Sequence, residues 1–176
     1  MGITIDGAGT ITGLDADGIS AQPVFPGQVL QVVSTTKTDA FSASLTSNAR
    51  ANVTGLDVSI TPTSTSSKIL IFVAVTGHNG SESGCAFTVQ RNSTDILVPS
   101  AGTGEQVTGI GFGLSSDSAP MSNSVNGFDE PNTTSSVTYS VTVLNFSVLT
   151  RTIYVNTSPS PRARGISTIT AMEIAG

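Results

Sequence analysis

Charged and aromatic residues are scarce in this chain of 176 residues. Charged residues make up 11 %, aromatic residues make up 5 %, and tryptophan is absent. Ser and Thr together fill about 50 positions, far above ordinary usage. Such a chain is either disordered or all-β. Disorder requires low hydrophobicity and high net charge, but hydrophobic residues reach 38 % and the net charge is only -5, so we expect an all-β fold.

Basic residues are few and scattered, with seven Lys and Arg in total. The closest group is Arg162 with Arg164. Binding to nucleic-acid phosphates needs clustered Lys and Arg on one surface. The sequence therefore predicts no nucleic-acid partner.

The chain has one cysteine and one histidine. A single cysteine excludes an intramolecular disulfide framework, and Cys85 is predicted to be a small core residue of a strand. His78 lies in "TGHNG", which predicts a solvent-exposed turn at a strand end. Ordinary zinc sites need several His or Cys ligands, and no signature marks a catalytic serine. We predict no catalytic, cofactor-binding or metal-ligating residues.

Acidic residues offer two further kinds of site, and neither pattern is complete. Glycoside hydrolysis needs two acids across a cleft. The candidates are Asp129 and Glu130, expected on a surface loop, and Glu173, whose place between Met172 and Ile174 predicts that it faces solvent or a subunit seam.

Calcium is the second kind. Asp6, Asp15 and Asp17 could supply oxygen ligands, but "LDADG" lacks the closing Glu of a calcium loop. No metal site is predicted there.

Seven consecutive apolar residues, Ile69–Val75, follow a run of Ser, Thr and Pro. A membrane helix needs about 20 apolar residues, so the run predicts a strand and no membrane insertion. Both of its alternating sets are apolar, which predicts burial on both faces. One face can pack on an opposing sheet, and a partner subunit is the economical cover for the other.

Other short segments also have strand patterns, and turn residues separate them. "RNSTDI" predicts a hairpin turn at residues 92–95. We predict an antiparallel β-sandwich, with jelly-roll topology preferred. The predicted strands are Val29–Val33, Val53–Ile60, Ala86–Arg91, Ile96–Val98, Val107–Leu114, Val137–Phe146, Arg151–Asn156 and Thr168–Ile174.

The segment Ser115–Ser136 is polar and contains Pro120 and Pro131. It is longer than a normal connection. Two interpretations stay open: an exposed functional loop, or a cover for the sheet.

The N-terminal segment differs from the rest. "IDGAG" at residues 5–9 is followed by the similar "LDADG" at residues 14–18, and "SAQPVFPG" then indicates an extended linker. Two repeats are too few for a solenoid but can form a short β-ribbon. We predict an N-terminal docking arm and linker at residues 1–26 and a β-sandwich domain at residues 27–176. An arm without its own core would order by docking, which favours a large assembly or an intertwined oligomer.

Several stretches resemble a module common in tail-fibre and other structural proteins of tailed phages, particularly marine phages. They are "GQVLQVVSTTKTDAFS" (27–42), "VTGLDVSITPTSTSSKILIFVAVTG" (53–77), "TIYVN" (152–156) and "STITAMEIAG" (167–176). The second and fourth stretches are the most specific. The resemblance runs from Gly27 to the C-terminus.

This resemblance implies a β-sandwich that trimerises, without enzyme activity or cofactor. It implies a structural protein of the virion surface, made in the cytoplasm of a host bacterium. A short tail fibre or spike and a capsid decoration protein both remain open. Expected partners are other copies of the chain, other virion proteins through the N-terminal arm, and a glycan or protein of the host surface. The alternatives are a stand-alone carbohydrate-binding, lectin-like module and an enzyme such as a depolymerase.

Overall fold

The computed structural model describes most of the chain, and the described residues are 4–5, 11–12, 24–79, 84–100, 102–110, 120–159 and 164–176. They form no helix, so none of them belongs to a helix that could cross a membrane. Their strands are β1 (Thr4–Ile5), β2 (Ile11–Thr12), β3 (Val29–Lys37), β4 (Phe41–Leu45), β5 (Arg50–Ile60), β6 (Lys68–Asn79), β7 (Cys85–Arg91), β8 (Thr94–Ile96), β9 (Gly109–Ile110), β10 (Met121–Asp129), β11 (Val137–Asn145), β12 (Arg151–Val155) and β13 (Ser167–Ile174).

Apart from β1 and β2, the strands form two antiparallel sheets that enclose one core. β4 continues the line of β3, because Lys37 pairs with Ser167 of β13 and Phe41 pairs with Val155 of β12. β12 and β13 likewise form one line, and β8 and β9 pair with the same edge of β7. The first sheet has the order β3/β4, β13/β12, β6, β10, and the second has the order β5, β11, β7, β8/β9.

The topology follows from this order. Counted along the chain, the first sheet holds lines one, eight, three and six, and the second holds lines two, seven, four and five. Successive lines cross between the sheets at nearly every step, which is jelly-roll topology. The predicted all-β, antiparallel sandwich of the jelly-roll type is confirmed.

The core lies between the sheets, and the period of two in the sequence selects its members. Val137, Tyr139, Val141 and Val143 of β11 all point inward and are at most 3 % exposed. Burying an aliphatic side chain of this size contributes about 1.5–3 kcal/mol. The other strands supply the same kind of residue, including Leu56, Val58, Ile60, Ile69, Ile71, Val73, Val75, Phe87, Val89, Ile153, Val155, Ile169 and Ala171.

Some predicted boundaries were wrong. Phe41–Leu45 forms β4, which we did not predict. The hairpin after β7 turns through two residues, Asn92 and Ser93, with φ of 46° and 71°, as the tightest hairpins require. Of the predicted strand Val107–Leu114, the described part forms only the short β9.

The prediction of a loop over Ser115–Ser136 was wrong in its middle. Residues 121–129 form β10, which pairs with β6 without interruption from Met121 opposite Gly77 to Asp129 opposite Ile69. Residues 130–136 connect β10 to β11, and residues 111–119 lie outside the described residues. Part of this segment is therefore an edge strand of the first sheet.

The N-terminal arm contains a short ribbon, in which Thr4 pairs with Thr12 and Ile5 with Ile11. The pairing joins the start of the first repeat to residues that lie between the two repeats. Asp6, Asp15 and Asp17 lie outside the described residues.

Candidate functional site

The outer face of the first sheet carries the apolar residues that the core does not use. In β6, Ile69, Ile71 and Val73 face inward and are at most 2 % exposed. The alternate residues Leu70 and Phe72 face outward, and Phe72 is 41 % exposed. The sequence predicted that both faces of Ile69–Val75 are buried. Among the described residues, only the inner face is buried.

Four outward-facing apolar residues, one from each line of the first sheet, lie side by side across the whole sheet. Leu70 pairs with Met172 of β13 on one side and with Phe128 of β10 on the other. Met172 in turn pairs with Val32 of β3. Val32 and Phe128 are 52 % and 55 % exposed. We call Val32, Met172, Leu70 and Phe128 the apolar row.

The next two rows along the sheet contain no charged residue. They hold Ser34, Thr170, Phe72 and Asn126, and then Thr36, Thr168, Ala74 and Ser124. Beyond the apolar row in the other direction, Lys68 and Glu130 form an exposed ion pair of 2.9 Å. The middle of the outer face is therefore neutral.

A hollow lies at the other end of the outer face, between β10 and residues 164–168. Its volume is about 470 Å³, and its lining includes Ala74, Thr76, Pro120, Ser122 and Arg164. We call this hollow the hydroxyl groove.

Close packing at Gly165 shapes the hydroxyl groove. A Cβ atom on Gly165 would lie 2.5 Å from the Thr76 side chain, so only glycine lets residues 164–166 approach β6 this closely. The Thr76 hydroxyl donates to the carbonyl of Ile166 at 2.8 Å and lies 2.7 Å from the Ser122 hydroxyl. Because Thr76 has one hydroxyl proton, Ser122 is the donor in that second bond.

Arg164 stands at the hydroxyl groove with an exposed side chain. Among the described residues, the salt bridges involve Lys37, Arg50, Lys68 and Arg91, and none involves Arg164. The groove therefore offers a cation to an anionic group.

A separate cleft has a volume of about 590 Å³ and lies beside the loop that joins β4 to β5. Ile110 and Phe146 contribute apolar surface, since they are 70 % and 39 % exposed. Its acid, Glu105, lies 3.4 Å from Arg50, which also pairs with Asp95.

The acids considered from the sequence each have a separate set of partners. Arg91 donates to both carboxylate oxygens of Asp129 at 2.8 Å, and the Tyr139 hydroxyl donates to Asp129 at 2.7 Å. Burial, and then the hydrogen bond to Asp129, raise the pKa of Tyr139. Asp129 thus ends a strand and links β10 to the second sheet, whereas Glu130 is on the surface and pairs with Lys68.

Glu173 does not face solvent, and that prediction was wrong. It is fully buried, and it accepts hydrogen bonds from the Thr63 backbone and hydroxyl and from Gln31. Burial alone would raise the pKa of Glu173, but the hydrogen bonds from Gln31, Ser67 and Thr63 outweigh it and hold the pKa below its usual value. Glu173 fastens the connection between β5 and β6 to β13.

His78 also differs from its prediction, whereas Cys85 agrees. His78 is 4 % exposed, lies within β6 and pairs with Tyr154, with 6.2 Å between the ring centroids. Cys85 is a buried residue of β7.

Sequence reasoning missed the hydroxyl groove because its lining comes from three distant segments, at residues 74–76, 120–122 and 164–168. The one local signal was the outward apolar set of Ile69–Val75, which predicted an uncovered face but not its extent.

Comparisons with known proteins give little more. No protein-family model and no curated protein matches the chain. Among solved structures, the chain is similar to one described as "Crystal structure of infectious bursal disease virus VP2 subviral particle", with 13 % identity and a TM-score of 0.43. The match covers 83 % of this chain and 37 % of that chain. A likeness this weak assigns no function.

Proposed function

We propose that this chain is a non-enzymatic structural protein of a bacteriophage virion, displayed on the particle surface, and that it assembles as a trimer. The apolar row carries the proposal, because it places an apolar side chain on the outer face of all four lines of one sheet, with Val32 and Phe128 exposed and Leu70 and Met172 half-buried. The phage resemblance of the sequence supplies the virion role and the number three.

A second copy of the chain is a suitable cover for the apolar row. Interface cores are depleted in charge and enriched in aromatic residues and Met, and the row contains Phe128 and Met172. The chain has a net charge of -5, so two copies repel one another except where they meet through uncharged surface. The neutral rows beside the apolar row provide such a surface.

Leu70→Glu tests the proposed assembly. A carboxylate buried in the interface without a partner is strongly unfavourable, so we expect light scattering to report single chains. Thr138→Glu is the matched control, because Thr138 lies on the outer face of the second sheet and should leave the assembly intact. Equal masses for wild type and Leu70→Glu, with circular dichroism showing both folded, would contradict the proposed interface.

The place on the particle separates the two forms of the proposal. A short tail fibre or spike predicts gold label on the tail in electron micrographs of labelled virions. A capsid decoration protein predicts label over the head. Label on neither part would contradict the virion role.

A further inference from the structure

We propose that the N-terminal arm of a neighbouring copy adds as a further strand to the outer edge of β10. The inference rests on the proposed self-association and names the backbone contact that joins one copy to the next. It also replaces other virion proteins with a second copy of this chain as the partner of the arm.

β10 is a long edge strand without the features that usually protect an edge. Among the described residues, β6 is its only strand partner. Its nine residues pair with β6 without a shift in register, and they include no proline and no charged residue before Asp129 at the end. Charge, proline, a bulge or short length normally protects an edge, because its N–H and C=O groups otherwise pair with another chain.

The other edges of the two sheets carry such protection. At β5, the pairing with β11 shifts in register between Asn52 and Asp57, where Gly55 has a φ of 78°. At β3, the pairing with β13 also shifts in register, and the strand ends on Lys37. β4, β8 and β9 have only five, three and two residues. β10 is therefore the edge that best accommodates a further strand.

The arm has the backbone and the length that this edge requires. β1 and β2 pair with each other and with no other described strand. A two-stranded ribbon is at best marginally stable by itself, and adding it to the edge of a sheet supplies the missing backbone hydrogen bonds. Residues 13–26 can span up to about 50 Å, whereas a sheet of four lines is about 15 Å wide.

A neighbouring copy, and not the same chain, supplies the arm. Among the described residues, the ribbon pairs with no strand of its own sandwich. Phe128 of β10 also belongs to the apolar row, so the copy that covers the row lies beside the edge of β10. Strand addition of this kind is a heterologous contact, and heterologous contacts close into rings such as trimers.

Charge also favours the arm. Residues 1–26 contain Asp6, Asp15 and Asp17 but no Lys or Arg. Arg164 lines the hydroxyl groove at the start of β10, is exposed, and is in no salt bridge among the described residues. An acidic segment along β10 therefore meets an opposite charge there, whereas a basic segment would be repelled.

Cysteine cross-linking in the full chain tests the proposal. Thr12→Cys chains are produced together with Ser122→Cys or Ser124→Cys chains, whose substituted residues are exposed on β10. A disulfide requires two Cα atoms within about 7 Å, so mild oxidation should link the two kinds of chain. We expect about tenfold less linkage with Thr138→Cys, on the outer face of the second sheet. Wild-type chains should not link, because Cys85 is buried.

Three results would overturn the proposal. The first is that neither β10 variant links more than Thr138→Cys. The second is a Thr12→Cys/Ser124→Cys double variant that oxidises only within single chains, because the arm would then pair with the edge of its own chain. The third is a mass of one chain by light scattering, which would contradict the proposed function as well. The mass of a trimer without cross-links would contradict the arm contact alone.

Discussion

The outer faces of the two sheets are treated differently by the same chain. On the second sheet, Val107 packs on Ala86 and Leu144 to form a small second core. Thr108 strengthens this cover by accepting a hydrogen bond from the Val89 backbone at 2.9 Å. On the first sheet, Phe72 and Phe128 remain exposed among the described residues. The chain covers the middle of one outer face with its own loop and leaves Phe72 and Phe128 of the other exposed, and this difference is the reason for proposing a partner on the first sheet.

The hydrogen bonds from Arg91 and Tyr139 to Asp129, which we call the Asp129 clamp, should have the largest effect on stability. They tie the edge strand of the first sheet to the second sheet. Asp129→Ala leaves Arg91 and the buried Tyr139 hydroxyl without their partner. We expect a loss of about 3 kcal/mol in the free energy of unfolding, measured by urea denaturation. Glu130→Ala removes a neighbouring exposed acid and should cost little. Equal losses for the two variants would show that the clamp adds nothing.

Uncovering the second sheet should have a smaller effect and leave assembly alone. Val107→Ala shortens a side chain that is 8 % exposed and should reduce the free energy of unfolding by about 1.5 kcal/mol. The mass measured by light scattering should stay that of the wild type. A smaller assembly would mean that the second face also takes part in it.

Apolar surface in the apolar row should contribute more to self-association than exposed apolar surface elsewhere on the chain. Phe128→Ser removes a ring that is 55 % exposed and should weaken self-association about tenfold. Val148→Ser removes a side chain that is 88 % exposed but lies outside the row, so the dissociation constant should not change. Sedimentation at several concentrations measures both. A larger effect for Val148→Ser would move the interface to the loop end.

Glu173 is buried, whereas its neighbour Met172 faces outward in the apolar row. The pH dependence of stability tests the role of Glu173. The pKa of Glu173 is held below its ordinary value of 4.5, so its stabilising effect is complete above that pH and is lost as the pH falls through the lowered pKa. Glu173→Gln should therefore be less stable than wild type at neutral pH, and the gap should narrow below pH 4.5. A gap that is constant with pH would contradict this role.

The sequence was sufficient where strands alternate cleanly. Val137–Val143 and Leu56–Ile60 follow a period of two, and their burial was predicted correctly. β10 was missed because it places Val125 inward and Phe128 outward among Ser and Asn, which leaves no regular pattern.

Burial of polar side chains could not be predicted, because their partners are far away in sequence. Glu173 bonds to Thr63, 110 positions earlier. His78 is enclosed because β12 pairs with the end of β6. Such contacts depend on the sheet order, which local patterns do not determine.

The mass of the wild-type protein in solution tests the central claim most directly. Sedimentation equilibrium at micromolar concentration should give three times the 17.8 kDa of one chain. A mass of one chain at every concentration would contradict the account, because the apolar row would then remain uncovered.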